Sequence, residues 1–483
     1  MTTSLMRWRD FDDLPPLPET FFDTPRRVHF IGIGGIGMSA LAFALCERGH
    51  HISGSDARDS AMLAKLRAAG VQTVIEQNAD NLRVLGEPAE AVIFSSAITA
   101  DNVERAAATQ LNIPQWHRAQ LLAYFVNSAR FSIAVSGTHG KSTTSAMVAH
   151  ILAKCELDPT ALLGAEYPPF GSNVRLGNRD VVVVEADESD GSFTLLKPTI
   201  AVVTNVEPEH LENYDDNVEE LWRAFKIFVS QTRDTVLLNA NDEELCRRLA
   251  RTSARTFGIS PIDAELQASN VSQQRRQMHY DLFGALVDGH SGPYRLLVPG
   301  KHNLSNALAA MQAASALHIA VEDAARAMES FNGVKRRFQM IGEAGDVLVY
   351  DDYGHHPTEV ASTLQTAREF LQRPVVAVFQ PHRYSRTSQM GHLFGPSFEA
   401  ADRIIITELY SAFETPIEGV SGRIVFDSVR EAWPDKPLFF AENLEEARRM
   451  VGEIVQPGDA VFCMGAGDIT TLPPLILEDL KNS

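Results

Sequence analysis

One run of residues constrains this chain more than any other: Ile133-Ala-Val-Ser-Gly137-Thr-His-Gly140-Lys141-Ser142-Thr143-Thr144. Phe131 to Val135 is apolar and reads as a buried strand. Met147, Val148, Ile151 and Leu152 then recur at helical spacing. The turn between them carries two glycines, a lysine and several hydroxyls, which is the build of a phosphate cradle. Glycines let backbone N–H groups approach oxyanions, and the helix N-terminus adds the positive end of its dipole. Lys141 can reach terminal phosphates, and the Ser142 hydroxyl can ligate Mg²⁺. Val135 stands where the first glycine of a full Gly-x4-Gly-Lys-Ser loop would fall. An ordinary glycine-rich turn is the competing reading, and consecutive Gly-Lys-Ser-Thr-Thr at a strand–helix junction argues against it.

A second glycine loop lies upstream. A strand from Val28 runs into Gly32-Ile-Gly34-Gly35-Ile36-Gly37, an alanine-rich helix follows to near Gly49, and another strand ends at Gly54-Ser55-Asp56. That is the dinucleotide fingerprint with an acidic residue about 20 positions on. It predicts a pyrophosphate at a helix N-terminus, in a nicotinamide or another diphosphate-bearing nucleotide. Further strands are expected at Thr73–Glu76 and at Ala91–Ser95, the latter opening into Ser96.

After the phosphate loop, the strand Val181–Val184 delivers Glu185-Ala-Asp187-Glu188-Ser-Asp190, and Ile200–Val203 leads to Thr204-Asn205-Val-Glu207-Pro-Glu209-His210. An acidic residue at a strand end beside a phosphate loop is how such folds hold Mg²⁺. Parallel strands ending in polar loops put these residues on one rim, with His210 a candidate metal ligand. His302, Asn303 and Asn306 open a long alanine-rich helix, as capping residues or as amides for an adenine ring. Lys335-Arg336-Arg337 places three cations in a row. The last third alternates strand and helix again, with strands at Val347–Tyr350, Val375–Phe379, Arg403–Thr407 and Ala460–Cys463. Asp351-Asp352-Tyr353-Gly-His355-His356 and Gln380-Pro-His382-Arg383-Tyr-Ser-Arg386 follow the first two of these. Clusters rich in His, Arg and Asp on one rim point to a site that handles a carboxylate and a phosphate.

Composition limits the partners. With 43 basic against 62 acidic residues in 483, the net charge is −19, which argues against non-specific nucleic-acid binding or an anionic membrane surface. Cys46, Cys155, Cys246 and Cys463 lack the spacing of a zinc site or disulfide framework. No apolar run approaches membrane-spanning length, the first residues are charged and proline-containing, and the cytoplasm is the expected compartment.

Read together, the motifs resemble the Mur ligase family of cell-wall amide-forming enzymes, from about Val28 to the C-terminus. The resemblance rests on Gly-Ile-Gly-Gly-Ile-Gly-Met-Ser, Gly-Thr-His-Gly-Lys-Ser-Thr-Thr, Glu-Ala-Asp-Glu-Ser-Asp and Thr-Asn-Val-Glu-Pro-Glu-His. It extends through Lys-His-Asn-Leu-Ser-Asn, Arg-Arg-Phe, Asp-Asp-Tyr-Gly-His-His-Pro-Thr-Glu-Val and Phe-Gln-Pro-His-Arg-Tyr-Ser-Arg-Thr. Ser142 departs from it, since the family more often has threonine there.

The resemblance implies a three-domain α/β fold after an extension over 1–26. A Rossmann-like domain would span 27–130 and a central P-loop ATPase-type domain 131–331. A C-terminal Rossmann-like domain would span 332–483. It implies a monomer or homodimer that joins L-alanine to UDP-N-acetylmuramate with ATP and Mg²⁺. Gly34, Gly35, Ile36 and Gly37 would hold the UDP diphosphate, with Ser55, Asp56 and Ser96 nearby. ATP would lie on Gly137, Thr138, His139, Gly140, Lys141, Ser142 and Thr143, with His302, Asn303 and Asn306 near the adenine and Arg337 at the γ-phosphate. Ser142, Glu185 and His210 would hold metal, Asp351 would lie close to the nucleotide, and Tyr353, His355, Arg383 and Arg386 would form the amino-acid pocket. His355 or a neighbouring carboxylate would take the proton from the attacking amine. Lys141, on a loop read as exposed, is expected to be dispensable to the fold.

Overall fold

Valine- and isoleucine-rich segments separated by helices form three sheets in the computed structural model, which describes residues 8–178, 180–274, 277–412 and 414–482. They fall into two compact units. The first runs through Val271 and adds His279–Arg295 and His302–Phe331; the second comprises Ser272–Met278, Leu296–Lys301 and the chain from Asn332 onward.

In the first unit, a five-stranded parallel sheet has the order Gln72–Ile75, His51–Asp56, Arg27–Ile31, Ala91–Phe94, Gln115–His117. Its strand order reverses beside Arg27–Ile31, so the glycine loop after that strand sits at the topological switch point, where open α/β sheets bind ligands. A second sheet of ten strands has Phe131–Ser136 between Ile200–Val203 and Val181–Glu185, all three parallel. Ile133 to Val135, Val182 to Val184 and Ile200 to Val203 are fully buried. Parallel strands covered on both faces read as unbroken apolar runs, which is why these three were legible.

The helix Lys141–Lys154 follows directly and is buried from Ser142 to Leu152. It starts at Gly140, whose φ of 85° lies in the left-handed region, a conformation glycine adopts at little cost. The ten-stranded sheet exceeds the three strands expected: Thr160–Tyr167 and its antiparallel partner Ser172–Arg175 close one edge, and Thr235–Asn239 through His290–Leu296 extend the other. Among those added strands, Leu266–Gln274 and His290–Leu296 are largely polar and carry weaker patterns.

Residues 8–26 are more ordered than their composition suggests. Short 3₁₀ turns span Trp8–Asp13 and Phe21–Asp23, and Trp8, Phe11 and Phe22 are buried.

The second unit holds a six-stranded sheet, ordered Gln339–Ala344, Val347–Asp352, Ala460–Met464, Val375–Phe379, Arg403–Thr407, Leu438–Ala441. The first strand is antiparallel and the other pairings parallel. The four strands read from the sequence form its centre, and the two additions are its edges.

Candidate active site

The phosphate loop is held from the side by the end of strand Ile200–Val203. Asn205 accepts from Thr138 N through its carbonyl (3.1 Å) and from His139 N through its Oδ1 (2.8 Å), while Thr204 Oγ1 donates to His139 O at 2.6 Å. The fit requires glycine at 137: its φ is +127°, and a Cβ there would lie 2.2 Å from Thr204 Oγ1. At Gly140 an added Cβ would fall 2.6 Å from Asn306 Oδ1. Asn306 thus packs on the phosphate loop itself, with its Nδ2 3.5 Å from Asn303 Oδ1; Asn303 and Asn306 are buried and His302 is exposed. His139 Nε2 lies 3.4 Å from Glu207 Oε2.

Lys141 departs from expectation. Its side chain is only 13% exposed, and Nζ donates to Gly137 O (2.8 Å) and Thr138 O (3.0 Å) and lies 2.9 Å from Glu188 Oε2. The expected exposed, dispensable lysine is instead half of a buried ion pair. Burial pushes its ammonium down, but the charges of Glu188, Asp187 and Glu185 outweigh that and raise its pKa above the ordinary lysine value. Glu188 itself was not singled out from the sequence, though it stood in the acidic run that was.

Glu185 ends its strand beside Gly164 of strand Thr160–Tyr167. A Cβ at 164 would lie 2.1 Å from Glu185 Oε2, so the glycine leaves the space that the carboxylate occupies. Ser142 lies in the first helical turn, 8% exposed. His210, at φ 57°, has Nε2 3.7 Å from Glu209 Oε1 and Nδ1 3.8 Å from Glu212 Oε1. Carboxylate and hydroxyl oxygens at a phosphate loop, with one imidazole, are a donor set that fits Mg²⁺.

In the same unit the upstream glycine loop is tied by Asp56, whose Oδ2 accepts from Gly34 N at 2.8 Å. Gly35 caps the helix Ile36–Glu47, Ile36 is half-exposed, and a Cβ on Gly37 would sit 3.6 Å from an Arg118 guanidinium nitrogen. Ser55 differs from expectation: it is fully buried and its hydroxyl donates to Glu104 at 2.6 Å, so it supports the loop from beneath. Ser96 Oγ donates to Asp190 Oδ2 at 2.9 Å and lies 3.0 Å from His117 Nε2; Arg118 donates to the same Asp190 oxygen at 3.2 Å. Burial and the Arg118 charge push His117 down to about 3, so it is neutral at pH 7. Arg118 and Asp190 carried no spacing signal; only the folded chain brings them together.

In the second unit, Arg336 and Arg337 flank the Tyr353 ring at 4.8 and 5.0 Å from its centroid. Arg336 donates to Gly465 O at 2.6 Å, and Arg337 to Glu359 Oε1 at 3.3 Å. Asp351 is buried, accepting from Thr470 Oγ1 at 2.6 Å, and burial raises its carboxyl despite that bond and Arg336. His355 Nδ1 lies 3.0 Å from Tyr353 O. His382, quoted in the sequence but given no role, has its ring 6.1 Å from that of His355 and stacks on Tyr410. Burial first, then His355, Arg386 and Arg383, push His382 down to about 3. Arg383, exposed and at φ 69°, precedes the helix Tyr384–Met390 that carries Arg386. His355, Arg383 and Arg386 thus lie around His382, with Tyr353 against His355 and Glu359 Oε2 3.4 Å from His355 Nδ1.

Three family models match in chain order: Mur ligase family, catalytic domain, over 27–130; Mur ligase middle domain over 135–314; and Mur ligase, glutamate ligase domain, over 336–467. A UDP-N-acetylmuramate–L-alanine ligase from Pelotomaculum thermopropionicum is 38% identical across 95% of this chain and 99% of its own length. The chain belongs to the Mur ligase family. A relative of the same name from Agrobacterium fabrum is 40% identical over 94% of this Mur ligase and 97% of its own length. Among solved structures, UDP-N-acetylmuramate-alanine ligase from Thermotoga maritima matches with a TM-score of 0.80 at 30% identity, covering 95% of this chain and 99% of that one. A murein peptide ligase from Psychrobacter arcticus shares the fold with a TM-score of 0.69 at 24% identity, covering 95% and 99%. The three-domain α/β expectation agrees with these matches.

Proposed function

We propose that this Mur ligase joins L-alanine to the carboxylate of UDP-N-acetylmuramate through an acyl phosphate formed with ATP, in peptidoglycan precursor synthesis. The observation that carries the reading is Lys141, fixed at a glycine-rich strand–helix turn and flanked by Glu185 and Glu188. Full-length similarity to relatives of that activity, at 38–40% identity, supports it.

Segment 27–130 takes the UDP-sugar, its diphosphate at the glycine loop Gly34 to Gly37 with Ser96 and Arg118 alongside. Asp56 and Ser55 hold that loop in shape. Segment 131–331 takes ATP on Gly137 to Thr143, with His302, Asn303 and Asn306 toward the adenine. Ser142, Glu185 and His210 would hold Mg²⁺, which would supply charge neutralisation to the phosphates when bound.

A carboxylate is a poor acyl donor, because resonance and negative charge oppose an incoming amine. Phosphorylation gives it a good leaving group. Lys141, already oriented by two loop carbonyls and Glu188, neutralises charge on the transferring phosphoryl group, where positioning and electrostatics do most of the catalysis. Segment 332–483 supplies the amine. Arg383 and Arg386 hold the carboxylate of L-alanine by charge-assisted hydrogen bonds, Tyr353 packs beside it, and Arg337 meets the γ-phosphate. Asp351 holds Arg336 in place. With Nδ1 of His355 donating to Tyr353 O, Nε2 is the basic nitrogen that takes the amine proton, and Glu359 is the neighbouring carboxylate. The protein works as a monomer or homodimer in the cytoplasm, without nucleic acid or membrane. Its charge of −19 argues against polyanionic partners, and no described helix is long and apolar enough to cross a membrane.

The test incubates protein, Mg²⁺, ATP and UDP-N-acetylmuramate with L-alanine, glycine, L-serine or the cell-wall tripeptide in turn. Fastest product formation with L-alanine is expected; rapid turnover of tripeptide with none of L-alanine overturns the assignment.

A further inference from the structure

The family models begin at residue 27, yet residues 8–24 lie against both phosphate-binding regions of the first unit. Trp8 is 4% exposed and meets the acidic turn from behind: a Cβ on Gly191 would sit 2.1 Å from Trp8 Cβ, and Gly191 has φ +75°. Its ring lies 6.3 Å from that of Tyr214, which is fully buried and whose hydroxyl donates to the backbone carbonyl of Glu188. Gly191 N donates to the same carbonyl at 2.9 Å. The Glu188 side chain, on the other side of that residue, grips Lys141. Arg9 closes the seat with an ion pair to Glu220 at 2.6 Å.

Three residues on, Phe11 presents its ring edge-on to His117 at 5.0 Å, and His117 lies against Ser96. Ser96 and Arg118 both bond Asp190, two residues beyond Glu188. Farther along, Pro15 O accepts from Gln120, and Phe21 and Phe22 pack on Trp116, His50 and Tyr124 beside the first sheet.

We propose that residues 8–24 are a strap that fixes the turn Glu188–Gly191, with Trp8 as a positioning residue for Lys141. The strap acts through two contacts of Trp8, its Cβ against Gly191 and its ring beside that of Tyr214, and these two residues between them hold the Glu188 carbonyl. The inference rests on the ligase reading for its kinetic consequence, although nucleotide binding tests it without turnover.

The experiment compares Trp8→Ala and Trp8→Phe in the full chain, measuring kcat, the KM of each substrate, ATP affinity by calorimetry, and Tm. A loosened lysine costs on the order of tenfold or more, since sub-ångström to ångström misplacement is felt strongly in catalysis. Trp8→Ala is expected to lower kcat and weaken ATP binding about tenfold while the L-alanine KM stays within about twofold, and Trp8→Phe to restore both. Wild-type kcat and ATP affinity in Trp8→Ala, with only Tm reduced, overturn the proposal. So does a loss that scales all constants with the folded fraction. A wild-type protein that binds ATP in a Trp8-dependent way but forms no alanyl product would overturn the ligase reading and leave the strap standing.

Discussion

Gly164→Ala isolates the role proposed for Glu185. The methyl group would enter space now occupied by the Glu185 carboxylate, 2.1 Å from Oε2, 2.5 Å from Oε1 and 2.4 Å from Cδ. Ordinary contact between such atoms needs roughly 3.5 Å, so the carboxylate must withdraw by more than about 1 Å. It is the free end of a flexible side chain, and leaving its rotamer costs about 0.5–1.5 kcal/mol. Alanine in place of a strand glycine returns about 0.5–1 kcal/mol. Stability should therefore change by no more than about 1 kcal/mol, or about 1 °C in Tm for a chain of this size. A ligand displaced by about 1 Å should cost on the order of 100-fold in kcat, near 2.7 kcal/mol of barrier, and raise the Mg²⁺ concentration needed for nucleotide affinity. The check is a double-mutant cycle with Glu185→Ala, reading Mg²⁺-dependent ATP affinity by calorimetry. If Gly164 acts through Glu185, Gly164→Ala adds nothing in the Glu185→Ala background. Equal effects in both backgrounds, or wild-type kcat in Gly164→Ala, would refute the reasoning.

Lys141→Met should abolish turnover and, because Glu188 is left buried without its cation, lower stability by roughly 3–5 kcal/mol. Lys141→Met/Glu188→Gln should regain much of that stability in thermal melts and none of the activity; a double variant no more stable than the single one would show that the pair is not the cause. Arg383→Ala should raise the L-alanine KM by on the order of 100-fold, as for loss of a charge-assisted bond of about 3 kcal/mol, with ATP affinity unchanged; parallel losses in both would remove it from the amino-acid pocket. His117 titrates near 3 when folded against about 6.5 when unfolded. The unfolded chain thus binds more protons between those values. Stability contributed by neutral His117 is complete above pH ~6.5 and falls on acidification by up to about 1.4 kcal/mol per pH unit. His117→Asn, which keeps a helix-capping side chain, should flatten that acid slope in denaturant melts from pH 7.5 to 5; an unchanged slope would assign it to other groups.

The central strands, both glycine loops and the acidic run were legible because each is encoded locally. Val181 to Val184 is apolar because both faces are covered, and Gly137 and Gly140 are glycines because Thr204 and Asn306 press against them. What escaped was long-range. Asp190 finds Arg118 across 72 positions, and no spacing rule connects them. The family resemblance places Ser55 near the ligand, but its strand is buried from Ile52 to Ser55 and its hydroxyl donates to buried Glu104. Lys141 looked exposed because it reads as part of a loop; it begins a helix, and the carboxylate that pairs with it comes from the turn after another strand. The segment 8–26 lacked periodicity, since its order comes from aromatic residues seated singly on surfaces that other elements build.

The acidic turn after Val181–Glu185 explains why those long-range contacts matter. A buried pair such as Lys141–Glu188 is a poor device for stability, because desolvating both charges offsets most of their attraction and an apolar pair of similar volume often does as well. What the pair does provide is direction: with two loop carbonyls and one carboxylate as acceptors, the ammonium has few orientations left. Dipoles and charges fixed in advance need no reorganisation when charge develops in a transition state. Asp190, in the same turn, is fixed to Ser96 and Arg118 beside the first glycine loop. A shift of the turn would therefore displace both the lysine at one glycine loop and the arginine beside the other, so holding Glu188–Gly191 still serves both loops at once.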